Sequence, residues 1–414
     1  MKAPRRAGPS GASPTGQALL RSLLLALASS LLAVTGMLAV LAVHMARRVV
    51  TPSGRLADTK ILDVDVAAQT ITLSRSDDTV LPGRYGLFTS GSAAYVKIGS
   101  VLSADGASVK RKLLTHVGAD ARLAPDAAFS GWYYDRPEQL HLPYRAELVG
   151  AAIGPCPAWV FPADAAGSAD SAPDTWVVQI HGRGTNRAEC LRAVPVFHAH
   201  GITSMLVSYR NDGEAPRSRG GSYGLGATEW RDVDAAIGVA RRHGARRVIL
   251  MGWSMGGAIA LQLALHSAHR DLIAGIVLES PVVDWRPVLT HQARLNRLPS
   301  RVAHLAIGTL SGDWTSQVAG ADAPIPFDRL DIVARAAELR HPILILHSDD
   351  DGFVPSDASH ALETARPDLV EMQAFDTARH TKLWNYDQDR WSAAIGDWLK
   401  RHDLLADSPG RTAV

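Results

Sequence analysis

The chain has 414 residues, 46% of them hydrophobic and 20% charged, enough to bury one large catalytic core beside a smaller appendage and unlike a disordered polar chain. Lys and Arg total 43 against 41 Asp and Glu, and the net charge of +2 offers no basic excess for a nucleic-acid partner. Two cysteines, Cys156 and Cys190, are too few for a disulfide framework and lack a Cys-x-x-Cys spacing; a single disulfide and two separate thiols both stay open.

Residues 1–21, rich in Pro, Gly, Ser and Ala and carrying Lys2, Arg5, Arg6 and Arg21, read as a disordered basic tail. Residues 22–46 hold no formally charged side chain and are followed by Arg47 and Arg48. At about 1.5 Å per residue, some 22 apolar positions cover roughly 33 Å, the thickness of a bilayer core, which predicts a single transmembrane helix. A cleaved signal fits less well, because the best small-residue pair, Val40-x-Ala42, lies inside the apolar run. Basic residues flank both ends, with Arg55 and Lys60 following, so the positive-inside count is a tie. A short basic tail ahead of an apolar run resembles an uncleaved signal anchor, which predicts an extracytoplasmic catalytic domain at the cell membrane.

From residue 56 to 145 short strand-like runs at 60–66, 70–73 and 95–98 alternate with Gly, Pro and Asp turns, the pattern of a small β-rich accessory domain. Residues 146–405 change to strand and helix in alternation, which predicts an α/β domain with a mostly parallel sheet flanked by helices. Strands are expected at 176–180, 203–208, 247–251, 272–278, 342–347 and 369–375. Helices are expected at 230–240, 256–267 and 389–399.

Between the strand at 247–251 and its following helix stands Gly252-Trp253-Ser254-Met255-Gly256, a Gly-x-Ser-x-Gly elbow in the context that motif requires. A sharp turn there exposes the Ser254 hydroxyl above the sheet as a nucleophile. His181-Gly182-Arg183-Gly184 follows an earlier strand and matches an oxyanion loop. Acyl transfer builds negative charge on a carbonyl oxygen, so backbone N–H donors are needed, and the positions expected to supply them are Arg183 and Met255. The strand at 342–347 runs into Asp349-Asp350-Asp351, one of which should orient a catalytic imidazole. His380, in the loop after the last strand, is the expected base in the chain order Ser, Asp, His. The glycine-rich stretch 220–226 lacks the Gly-Lys-Ser/Thr of a phosphate loop and reads as a mobile loop beside the site. His198-x-His200 has no supporting metal spacing, so neither a metal nor a cofactor is predicted.

These motifs resemble those of the α/β-hydrolase superfamily, near its esterase and prolyl-oligopeptidase-like (serine aminopeptidase-like) members, over 148–399. In that family a His-Gly-x-x-Asp-x-x-Val-Pro motif carries the triad acid. Here it reads His347-Ser348-x-x-Asp351-x-x-Val354-Pro355, so the resemblance gives the role to Asp351, with Asp350 as rival because Ser348 replaces the usual glycine. It also implies a helical lid over about 284–327. The function this implies is cleavage of an ester or related acyl bond in a small-molecule or peptide substrate. A serine peptidase, and a non-catalytic membrane-tethered binding protein on the same scaffold, are the alternatives.

Overall fold

The computed structural model describes residues 14–91, 94–163 and 174–405. Its first element, α1 (Pro14–Val50), is long and apolar enough to cross a membrane. The helix outruns the predicted span at both ends. Arg21, Arg47 and Arg48 do not interrupt it, since Arg is a good helix former, and residues 14–21 are helical rather than part of a disordered tail. The rest of the predicted tail, 1–13, lies outside the described residues. Side chains from Ala18 to Met37 are exposed, whereas Leu38, Leu41, Ala42, Met45, Ala46, Val49 and Val50 pack into the main core.

Six antiparallel strands follow: β1 (Thr59–Asp65), β2 (Thr70–Ser74), β3 (Tyr85–Gly91), β4 (Tyr95–Ala104), β5 (Ser108–Leu113) and β6 (Leu123–Ser130). They close into a barrel in the order β1-β2-β5-β4-β3-β6, with β6 paired back to β1. Closure removes the unpaired edges that short strands would otherwise present. Ile71, Leu73, Leu87, Val96 and Ile98 fill the interior. Arg111 is buried with them, donating through Nε to Gly99 O at 2.9 Å and through Nη1 and Nη2 to the carbonyls of Thr79, Leu81 and Gly83. Burial pushes its guanidinium down to about 10, and those carbonyls fix the turn between β2 and β3.

The remaining eight strands form one sheet. They are β7 (Arg145–Ala151), β8 (Gly154–Phe161), β9 (Thr175–Ile180), β10 (Thr203–Val207), β11 (Arg247–Trp253), β12 (Ile273–Glu279), β13 (Ile343–Ser348) and β14 (Val370–Phe375), in the order β14-β13-β12-β11-β9-β10-β8-β7. From β14 to β10 every pairing is parallel, and the β7–β8 hairpin joins antiparallel to β10. Side chains alternate along the central strands. Val178, Leu250, Ile276 and Ile345 enter the core on one face, and Val177, Ile249, Val277 and Leu344 enter it on the other. A strand buried on both faces needs a largely apolar run, which these segments carry, and the buried Gln179 of β9 donates to Ser204 Oγ at 3.1 Å.

The helices are α2 (Val194–Ala199), α3 (Trp230–Arg242), α4 (Met255–His266), α5 (Trp285–Leu295), α6 (Ser300–Ser311), α7 (Thr315–Val318), α8 (Phe327–Leu330), α9 (Asp357–Ala365), α10 (Leu383–Tyr386) and α11 (Gln388–Arg401). The docked end of α1 packs against α6. Small residues on the two helices, Ala42 and Ala46 on one and Ala303 and Ala306 on the other, are fully buried and suit a close approach. Cys156 and Cys190 are buried free thiols, so of the two options the sequence leaves open the structure has separate thiols.

Candidate active site

Ser254 lies at the turn between β11 and α4 with φ 52° and ψ −116°, a conformation that costs a non-glycine residue free energy and persists only where its surroundings impose it. The surroundings are visible in the flanking glycines. A Cβ at Gly252 would collide with the carbonyl of Gly256, and one at Gly256 with the carbonyl of Ile180. The Ser254 amide donates to Glu279 O at 3.1 Å, and its carbonyl accepts from Gly257 and Val282.

Beneath the turn, Glu279 is fully buried and accepts from the indoles of Trp253 and Trp391, both at 2.9 Å through Oε2. Its other oxygen lies 3.8 Å from the buried guanidinium of Arg192. Arg192 in turn donates to Gly131 O at 2.9 Å and Thr381 O at 2.8 Å, joining the end of β6 to the loop that carries His380.

Ser254, His380 and Asp351 come together from three separate loops. Ser254 Oγ is 3.1 Å from His380 Nε2, and His380 Nδ1 is 2.7 Å from Asp351 Oδ2. Both distances are within hydrogen-bond reach. Asp351 Oδ1 accepts from the amides of Phe353 and Val354, each at 2.8 Å. Burial alone would raise its pKa; the charge of His380 and the hydrogen bonds of His347 and His380 outweigh that and hold it well below the usual carboxylate range. The other two acids face elsewhere. Asp350 pairs with Arg379 at 3.1 Å, and Asp349 with His360 at 2.8 Å.

Ser348, which departs from the family motif, has its own place: its Oγ accepts from Ala378 N at 3.0 Å and ties the acid turn to the histidine loop. On either side of His380, Arg379 and Thr381 adopt φ of 62° and 49°. Thr381 N donates to Ser280 Oγ, and Arg379 and Lys382 both reach Asp78 of the barrel. The Phe353 ring lies 5.2 Å from the imidazole, and Gln292 of α5 donates to Phe353 O at 2.9 Å. Asp351 also borders a cavity of about 740 Å³ lined by charged side chains, among them Arg286, Arg294, Asp284 and Asp357, to which Ser254 and His380 do not contribute.

The loop His181–Gly184 stands beside the nucleophile, and a Cβ at Gly182 would come within 3.3 Å of Ser254 Cβ. The Gly182 amide is committed to Glu189 Oε2 at 2.8 Å, which also accepts from Thr185 Oγ1. His181 is held by Asp212 Oδ2 at 3.1 Å, and Tyr209 stacks on its ring and donates to the carbonyls of His181 and Gly182. Glu189, Tyr209 and Asp212 are supporting residues that the sequence does not single out. Asp212 had a faint signal, as the centre of an Asn-Asp-Gly turn just after a strand.

The glycine-rich stretch 220–226 is tied down rather than loose. Glu229 accepts from Gly224 N at 2.6 Å and Gly226 N at 2.9 Å, Asn211 donates to Ser222 O at 2.7 Å, and Tyr223 is buried. These bonds come from residues outside the stretch, so its composition suggested more freedom than it has.

Residues 171–318 match the family model described as Serine aminopeptidase, S33. Residues 60–130, which make the barrel, match a model described as Domain of unknown function (DUF8805). No curated protein matches the chain. Among solved structures it is similar to an esterase of Pyrococcus furiosus, at 16% identity over 65% of this chain and 94% of that one, with a TM-score of 0.49. It is also similar to a thermophilic esterase from Thermogutta terrifontis, at 18% identity over 62% and 98% of the two chains, TM-score 0.44. A puromycin-hydrolyzing peptidase of Mycobacterium tuberculosis aligns at 19% identity over 81% of this chain and 45% of its own length, TM-score 0.45. Over residues 171–318 the chain is therefore similar to the serine aminopeptidase family.

Proposed function

We propose that this chain is a membrane-anchored serine hydrolase that cleaves an ester or related acyl bond. The observation that carries the reading is the continuous path from Asp351 through His380 to Ser254, with steps of 2.7 and 3.1 Å. In the first half-reaction His380 Nε2 takes the Ser254 proton as Oγ attacks the substrate carbonyl carbon. The oxygen of the tetrahedral intermediate takes up the negative charge, and the backbone N–H groups of Arg183 and Met255 stabilise it. Two features support those donors. Gly182 N–H is already bonded to Glu189, which leaves the next amide of the loop for substrate, and Met255 opens α4, where the first amides have no intrahelical partner. Collapse of the intermediate expels the alcohol or amine, which leaves with the proton from His380. Water, deprotonated by the same imidazole, then releases the acid and restores Ser254.

Helices α5 to α7 serve as the lid in this reading, since α5 reaches the rim through Gln292 and Phe353. Helix α1 anchors the domain, and its short basic N-terminal flank favours an extracytoplasmic active site; protease shielding of the domain in intact cells would count against that side.

The test is labelling by a fluorophosphonate probe. Wild type should label, and Ser254→Ala should not; labelling that persists in the variant would show that another group is the nucleophile. Amide cleavage is the second reading, favoured by the serine aminopeptidase match over 171–318. A panel of nitrophenyl esters beside aminoacyl amides decides between the two. An absence of both turnover and labelling would favour a binding protein.

A further inference from the structure

The C-terminal end of α1 stops against the oxyanion loop. Val50 O accepts from Tyr223 N at 2.8 Å, and the Tyr223 hydroxyl accepts from Gly184 N at 3.3 Å. Arg183 Nη1 reaches Arg48 O at 3.3 Å and Thr51 O at 3.5 Å. Ser53 O lies 3.0 Å from where a Gly184 Cβ would stand, at a residue whose φ is +73°, so a side chain there would be strained. Two residues on, the Arg55 guanidinium covers the rings of Phe88 and Trp132 at 3.7 and 4.0 Å and carries the chain onto the barrel. The last carbonyls of a helix lack intrahelical partners and carry partial negative charge, which a cation stabilises. Arg183 supplies that cation, and among the described residues it forms no ion pair with a carboxylate.

We propose that the end of α1 positions the oxyanion loop, with Arg183 as the positioning residue. Its side chain grips the helix end, and the same residue's backbone N–H thereby takes a fixed direction toward the carbonyl oxygen above Ser254. This rests on the assignment of that N–H as an oxyanion donor. Helix α1 is then a strut of the active site as well as an anchor, and turnover of a water-soluble ester depends on the helix end even though such a substrate never meets a membrane. An oxyanion donor acts in the transition state more than in the ground state, so its misplacement lowers kcat and leaves KM nearly unchanged.

The experiment compares Arg183→Met, Arg183→Lys and Tyr223→Phe in the full-length, detergent-solubilised protein, with a short-chain nitrophenyl ester as substrate. Arg183→Met should lose about tenfold or more in kcat, with KM within about twofold and the pH profile of kcat/KM unchanged in shape, because the base is untouched. Arg183→Lys, which keeps the cation, should recover part of the loss. Tyr223→Phe, which removes only the acceptor for Gly184 N, should lose kcat in the same sense. Wild-type kcat in Arg183→Met, or a loss confined to KM, overturns the proposal. If Arg183→Met does not fold, Tyr223→Phe decides alone: lower kcat at constant KM supports the strut, and wild-type kcat overturns it. Ser254→Ala run alongside separates the two levels, since turnover in that variant would refute the nucleophile assignment itself.

Discussion

Arg379 Nε lies 3.4 Å from Asp78 Oδ1, so a side chain of the β-barrel touches the residue immediately before the candidate base. Lys382, two residues after His380, reaches the same carboxylate oxygen at 3.4 Å. The barrel turn thus holds the histidine loop on both sides, while Arg111 holds the turn from within the barrel.

From that clamp follows a first prediction. Partly exposed pairs of this kind contribute about 0–1 kcal/mol each, so Asp78→Asn should lower kcat on a short soluble ester by about two- to fivefold without changing the fold. The deficit should narrow at high salt, where wild type loses the same screening-sensitive contacts. Steady-state kinetics at low and high ionic strength measure it, and an unchanged kcat at low salt would separate the barrel from catalysis.

Asp351 gives the second. Asp351→Asn keeps an acceptor for the Phe353 and Val354 amides but offers the imidazole no negative charge, so kcat should fall by roughly 10⁴. The carboxylate also has a signature in stability. Its folded pKa lies below its unfolded value of about 3.9, so between the two the unfolded chain binds more protons and stability rises with pH. The stabilisation is therefore complete above the unfolded value and is lost as pH falls through the folded one. Chemical denaturation of wild type and variant should show a constant difference above about pH 5 that shrinks in stronger acid; a difference that grew on acidification would contradict the depressed pKa.

A third concerns Glu279. Replacing it by Ala would leave two buried indole N–H groups without their acceptor and the Arg192 guanidinium without the carboxylate 3.8 Å away. Breaking one side of such a buried cluster costs about 3–5 kcal/mol, so Glu279→Ala should unfold at markedly lower denaturant concentration than wild type. Glu279→Gln, which retains an oxygen for the indoles, should lie between the two. Equal midpoints for all three would show that the cluster contributes nothing to stability.

Much of the catalytic half was legible in the residues. Apolar runs at 176–180, 247–251 and 342–347 read as strands and form them, and the glycines around Ser254 announced a tight turn. These are local signals, because strand period and steric exclusion act within a few residues of the position they govern. Among the three adjacent acids, only the resemblance to a family motif favoured Asp351, because side-chain chemistry does not distinguish them. Asp349, Asp350 and Asp351 carry the same side chain, and only the packed loops give each a different partner: His360, Arg379 and His380.

The same limit hid the supports of the site. Glu189, Asp212 and Tyr209 reach the oxyanion loop from separate elements, and Asp78 reaches the histidine loop across about three hundred positions of sequence. Helix α1 shows both sides of the division. Its apolar length was fixed by its residues alone, since hydropathy is a property of each side chain. That its last turns would leave solvent, pack on α6 and end at Arg183 depended on surfaces contributed by distant parts of the chain, which exist only once the domain has folded.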